Sequence, residues 1–237
     1  MESSSTNSPN RVTVSLRIDS SESLSAQLIS RLDEACDCIE DTGRPALLLL
    51  RLSGRAMRSS EQPWPGNVDI HTVNKWEQAL RRVERLDAVT VSIADGICQG
   101  AAMELLLVTD YKLATTDAVL RVSNGSSDIW PGIVLYRIAR QLGVSRSRRL
   151  LLSGKIAAAD AAFFGLVDEV IANTDGAEAA IEAALRPLDL AQFAVHRRLM
   201  LDGLTMSYND ALGAHLAACD RQLRYRRSVN GVATSNA

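Results

Sequence analysis

The sequence predicts an α/β fold in which strands alternate with helices in the front half and helices alone fill the back. Three observations carry this. Residues Val12 to Leu50 form a strand, an amphipathic helix and a continuous apolar run. A second apolar run, Val89 to Ala94, gives way at once to another helix. Beyond Gly143 the apolar residues recur only at helical steps. With 237 residues, 46% hydrophobic and 23% charged, the chain is large enough to bury a substantial core.

The elements follow in order. Met1 to Asn10 is rich in Ser and Asn and reads as a disordered tail. Val12, Val14, Leu16 and Ile18 alternate with polar residues, the pattern of a half-buried strand. Ser23 is placed to cap a helix whose face carries Leu24, Leu28, Leu32, Ala35 and Ile39 and which ends at Gly43. Ala46 to Leu50 is apolar throughout, as in a strand buried on both faces. Ser53 to Ile70 loses periodicity and predicts a long loop, a length often tied to function. A helix over roughly His71 to Leu86 presents Val73, Trp76, Leu80 and Val83 on one face. The strand from Val89 breaks at Asp95-Gly96 and enters a short helix from about Ala101 to Val108. Tyr111 to Ala114 and Val119 to Val122 are short strand candidates. Pro131 suits the first turn of a helix reaching Leu142 and closed by Gly143. Helices then cover Arg146 to Leu152, Ala157 to Phe164, Ala177 to Leu185, Leu190 to Leu201 and Tyr208 to Arg224.

Several function classes are disfavoured at the outset. Net charge is -2, with no whole-chain footprint for nucleic acid or an anionic membrane. The four cysteines share no spacing with one another or with histidines, so neither a disulfide framework nor a zinc site is indicated, and a reducing cytoplasm fits. There is no apolar leader at the N-terminus and no window long enough to span a bilayer. No dinucleotide, Walker or metal motif is present, so neither a redox cofactor nor a metal is expected.

Chemistry concentrates in Asp95-Gly96-Ile97-Cys98-Gln99-Gly100-Ala101-Ala102-Met103-Glu104-Leu105. Small residues at Gly100 to Ala102 let a ligand approach the main chain. The unpaired N–H groups of a first helical turn favour negative charge, so the junction could hold an oxyanion. Gly- and Ala-rich helix starts are also common for packing reasons alone. Glu104 stands in a helix that is otherwise apolar on every side, which predicts burial and a raised pKa suited to proton transfer. A salt bridge to a nearby arginine is the structural alternative.

Residues Val89 to Ile171 resemble the core of the enoyl-CoA hydratase/isomerase (crotonase) superfamily. The resemblance lies in Asp95-Gly96, the small-residue turn, Glu104-Leu105, Asp110, Trp130-Pro131-Gly132, Leu151 to Gly154, Ala157 to Ala162 and Gly165 to Val170. It implies a ββα spiral core over residues 11–185, a helical trimerisation region over 186–228 and a flexible tail over 229–237. It also implies an acyl-CoA substrate, with coenzyme A entering as part of that substrate. Ala101 would be one oxyanion-hole donor, and Gly66-Asn67 would supply the other through Asn67. Glu104 matches the first catalytic glutamate of hydratases. The position of the second is Asn124, an amide that can orient but not deliver a proton, and Asp128 is the nearby carboxylate. Gly100 and Trp130 would line the acyl pocket, and Arg55 and Arg58 are the basic residues placed to meet coenzyme A phosphates.

Trp64-Pro65-Gly66 and Val73-Asn74-Lys75-Trp76-Glu77 further resemble the accessory hydratase-like proteins of 3,5-dihydroxyphenylglycine biosynthesis, the DpgB group. That implies dehydration or aromatisation of a polyketide-derived acyl-CoA toward 3,5-dihydroxyphenylacetyl-CoA, in non-ribosomal peptide antibiotic biosynthesis. A type III polyketide synthase and a second hydratase-like protein would be partners of a homo-trimer or hexamer. The alternatives are a generic enoyl-CoA hydratase/isomerase and a non-catalytic crotonase-fold partner of the synthase. A serine peptidase of the Clp type shares the fold, but His71, His196 and His215 accompany no nucleophile elbow.

Overall fold

A computed structural model describes residues 4–8, 11–55, 63–122 and 129–235. The chain divides into two compact units, Met1–Leu190 and Ala191–Ala237. In the first, the elements run β1 (Ser4–Ser8), β2 (Arg11–Asp19), α1 (Ala26–Glu40), β3 (Ala46–Gly54), α2 (Ile70–Glu84), β4 (Val89–Cys98), α3 (Ala101–Leu106), β5 (Tyr111–Thr115) and β6 (Val119–Arg121). They continue with α4 (Val134–Ser153), β7 (Lys155–Ala157), α5 (Ala158–Phe163), β8 (Glu169–Ile171) and α6 (Ala177–Leu185). The α/β class and the strand–helix alternation match the sequence reading.

One sheet has the order β1-β2-β3-β4-β5-β8, antiparallel at its first pair and parallel thereafter. Strands β6 and β7 form an antiparallel pair beside it. Strand β4 belongs to both. Val91 to Ala94 pair with β5, while Ile97 and Cys98 pair with β6. The break expected at Asp95-Gly96 is thus a point of transfer. The strand continues, and Gly96 lies so close to β3 that a Cβ there would fall 2.5 Å from the Gly54 carbonyl oxygen. The core follows the periodicity. Leu28, Leu32, Ala35 and Ile39 of α1 are buried, as are Ala46 to Leu50 and Trp76, Leu80 and Val83. Arg82 of α2 meets Asp33, Asp37 and Glu40, tying α2 to α1.

Several expectations are corrected. The tail expected over residues 1–10 contains an edge strand, because ladder pairing is a main-chain property and polar edge residues do not prevent it. Ser25, not Ser23, caps α1, its hydroxyl oxygen accepting from the Leu28 N–H at 3.1 Å. The loop expected from Ser53 begins two residues later, after Gly54. Strands β7 and β8, three residues each, are too short to show a period. The helix ending at Gly143 and the one after it are stacked as α4 across a non-helical Gly143 at φ 75°.

The second unit contains most of α7 (Leu190–Gly203) and all of α8 (Tyr208–Ser235). Helix α8 runs well past Arg224, so the flexible tail expected from residue 229 is helical to Ser235. Leu212, Leu216 and Leu223 of α8 are exposed, as is Cys219. No helix among the described residues is long and apolar enough to cross a membrane.

Candidate active site

The site forms where β4 ends. Gly100 adopts φ 55°, ψ −130°, a conformation open in practice only to glycine, and a Cβ there would meet Trp64 Cβ at 3.2 Å. Trp64 therefore packs directly over the turn. Ala101 and Ala102 open α3 with their methyl groups fully buried. The Ala101 N–H has no acceptor within so short a helix, and no described group accepts it.

One turn on, Glu104 is 2% exposed. Its partners are two indoles. The Trp64 Nε1–H donates to Oε1 at 3.2 Å, and the Trp76 Nε1–H donates to Oε2 at 2.5 Å. The rings of Trp64 and Trp76 meet edge to face, their centroids 5.7 Å apart. Burial pushes the carboxyl up to about 7, against the pull of both indole hydrogen bonds. Glu77, next to Trp76, adds to the rise, while Arg137 opposes it. Those two groups pair with each other at 3.0 Å. The arginine salt bridge weighed for Glu104 is thus made by Glu77 instead.

The carboxyl faces a small space lined by Trp64, Gly100, Arg121 and Trp130, with Met103 and Val134 as apolar walls. Its volume is about 20 Å³, room for roughly one water. Trp130 folds back over Gly132, where a Cβ would fall 2.6 Å from the indole nitrogen and 3.3 Å from Glu104 Oε1. A larger cavity of about 630 Å³, lined in part by Arg146, Arg149 and Lys155, shares no residue with this one. No group of His, Cys, Asp and Glu among the described residues is placed to hold a metal.

Of the predicted site residues, the structure brings together Gly100, Glu104 and Trp130, with Ala101 following Gly100 at the turn. Gly66, just ahead of the donor expected at Asn67, closes a turn with its own N–H on the Pro63 carbonyl at 2.8 Å. Asn67 follows it and is exposed. Arg55 is exposed just past β3. Arg58, Asn124 and Asp128 lie outside the described residues. Sequence reasoning missed Arg121, and it missed both indoles as partners of Glu104. A signal for the indoles existed. A buried Trp needs an acceptor for its N–H, and Glu104 is the carboxylate that the helical pattern buries.

Residues 59–226 match the sequence model of the family described as Enoyl-CoA hydratase/isomerase. The chain is also 35% identical to an enoyl-CoA-hydratase of Amycolatopsis orientalis, covering 88% of this chain and 95% of that one. The chain belongs to the enoyl-CoA hydratase/isomerase family. Among solved structures it is similar to an enoyl-CoA hydratase of Mycobacterium smegmatis, with a TM-score of 0.78, 20% identity, and coverage of 98% of this chain and 94% of that one. That likeness bears on the fold, which is the crotonase-like α/β fold. A third relative is (3,5-dihydroxyphenyl)acetyl-CoA 1,2-dioxygenase of Amycolatopsis orientalis. It is 29% identical over 50% of this chain and 27% of that one. As a member of the enoyl-CoA hydratase/isomerase family the chain is an acyl-CoA enzyme of the lyase or isomerase type.

Proposed function

We propose that this enzyme dehydrates or aromatises a polyketide-derived acyl-CoA, toward 3,5-dihydroxyphenylacetyl-CoA, in the cytoplasm. The observation that carries the chemistry is Glu104, a buried carboxyl titrating near neutrality beside the Gly100-Ala101 turn. Such a group both takes and returns a proton at physiological pH. Glu104 would remove the proton α to the thioester carbonyl. The electron pair moves to the carbonyl oxygen, held by the N–H groups of Ala101 and Asn67. Collapse of the enolate expels the β-hydroxyl, which leaves as water with the proton from Glu104. One residue thus serves both steps, in keeping with an amide at position 124. The choice of substrate is supported by the likeness to an Amycolatopsis enzyme whose name carries the same acyl-CoA.

The test incubates the protein with a type III polyketide synthase and malonyl-CoA, and compares aromatic product for wild type, Glu104→Gln and no addition. Wild type raises product and Glu104→Gln does not. Equal stimulation by both would make the chain a binding partner of the synthase, a reading that the small space of about 20 Å³ favours. No stimulation by either removes the dihydroxyphenyl assignment and leaves a generic hydratase/isomerase. The proposed assembly is a trimer or a dimer of trimers, joined through the apolar residues of α8.

A further inference from the structure

Arg121 is a cation without a described counter-ion at the reacting carboxyl. Among the described residues no group accepts from its guanidinium, and its Nε is buried without a partner. By contrast the part-buried Arg137 pairs with Glu77 and Arg31 with Glu22. Burying part of a guanidinium without an acceptor is unfavourable unless something supplies one. The position is fixed by the sheet. Pairing of Ile97 with Val119 and of Cys98 with Leu120 makes Arg121 the next residue along, beside Gln99 and the Gly100 turn. Gln99 is 1% exposed, and neither atom of its side-chain amide has a partner. On the other side Arg121 stands opposite Lys155 across the β6–β7 pair, a like-charge juxtaposition that is destabilising without an anion nearby. The space that Arg121 shares with Glu104 has apolar walls at Met103 and Val134, which strengthen an ionic hydrogen bond.

We propose that Arg121 binds an anionic oxygen on the acyl chain of the substrate, a carboxylate or the ionised enol of a β-dicarbonyl, and so selects acidic acyl-CoA thioesters over plain fatty ones. This rests on the acyl-CoA reading and deepens it. A planar guanidinium meets either oxygen pair with two parallel hydrogen bonds. Room for the rest of the acyl group requires an indole to swing, and Trp130 is the less buried of the two at the space.

The experiment titrates the protein calorimetrically with three thioesters that share coenzyme A: pentanoyl-CoA, glutaryl-CoA and acetoacetyl-CoA, the last at a pH where its enol ionises. Wild type binds at least one acidic thioester about 10-fold or more tightly than pentanoyl-CoA, the scale of one hydrogen bond to a charged group. Which of the two is favoured identifies carboxylate or enol. In Arg121→Gln the ratio falls to within about 2-fold, and Arg121→Lys restores part of it. Each ratio is taken within one protein, so a loss of folded fraction does not mimic the result. Equal or tighter binding of pentanoyl-CoA by wild type overturns the proposal, as does a preference that survives in Arg121→Gln. If none of the three binds and free coenzyme A does not either, the acyl-CoA reading itself fails.

Discussion

Glu104 is held between opposing influences, burial raising its pKa and two indole donors lowering it. Replacing either indole by phenylalanine removes a donor to the charged form. The alkaline shift of the pH–rate profile should be larger for Trp76→Phe than for Trp64→Phe, because the Trp76 bond is the shorter and has the greater effect. Activity that needs the carboxylate rises with pH through about 7 in wild type and levels off above it. Glu104→Gln should lose about 10²–10⁴ of rate, the usual contribution of a positioned base. Stability follows the same group. From 4.5 to about 7 the folded protein binds more protons at Glu104 than the unfolded chain does. Stability therefore falls as pH rises across that window, by about 3 kcal/mol at most. Urea midpoints at pH 5 and 7.5 should differ in wild type more than in Glu104→Gln. At pH 5 the variant should be the weaker, since its amide NH₂ faces an indole N–H, costing about 1–3 kcal/mol. At this scale the carboxyl was legible, because one charge in an apolar helix stands out. Its indole partners come from 40 and 28 residues away, a separation that no local pattern encodes.

At the scale of elements, the strand-to-helix junction works because Gly100 takes a conformation that other residues avoid. Gly100→Ala should destabilise by about 1–3 kcal/mol and displace the Ala101 N–H, seen as a lowered urea midpoint together with a loss of kcat. Gly132→Ala tests a different contact. A methyl there must push the Trp130 ring aside, so KM should change more than stability does. The elements themselves were legible where they are long. Helices α1 and α2 and strand β2 announce their periods, and strands β3 and β4 their unbroken apolar runs. The paired role of β4 was not legible, since a strand shared by two sheets has the same apolar run as a strand in one. Ser4–Ser8 failed for the complementary reason, its pairing being carried by the main chain while composition points elsewhere.

For the molecule as a whole, the exposed Leu212, Leu216 and Leu223 on α8 bear on assembly. Light scattering at micromolar concentration should give a trimer or hexamer, and Leu216→Glu with Leu223→Glu should lower the mass. A monomeric wild type would remove the trimer proposal. The fold class was legible at this scale because the Asp95 to Leu105 junction and the later Gly165 to Val170 segment keep their order. Docking of partners is not written in any periodicity. The gathering of the tryptophans also has a consequence for the whole chain. All three, Trp64, Trp76 and Trp130, surround one carboxyl group, two as donors and one as wall of the same space. The intrinsic fluorescence of the protein is therefore an unlabelled optical reporter of a single titration. Emission should change with a midpoint near 7 in wild type and lose that step in Glu104→Gln, and the same light should respond when an acyl group displaces an indole.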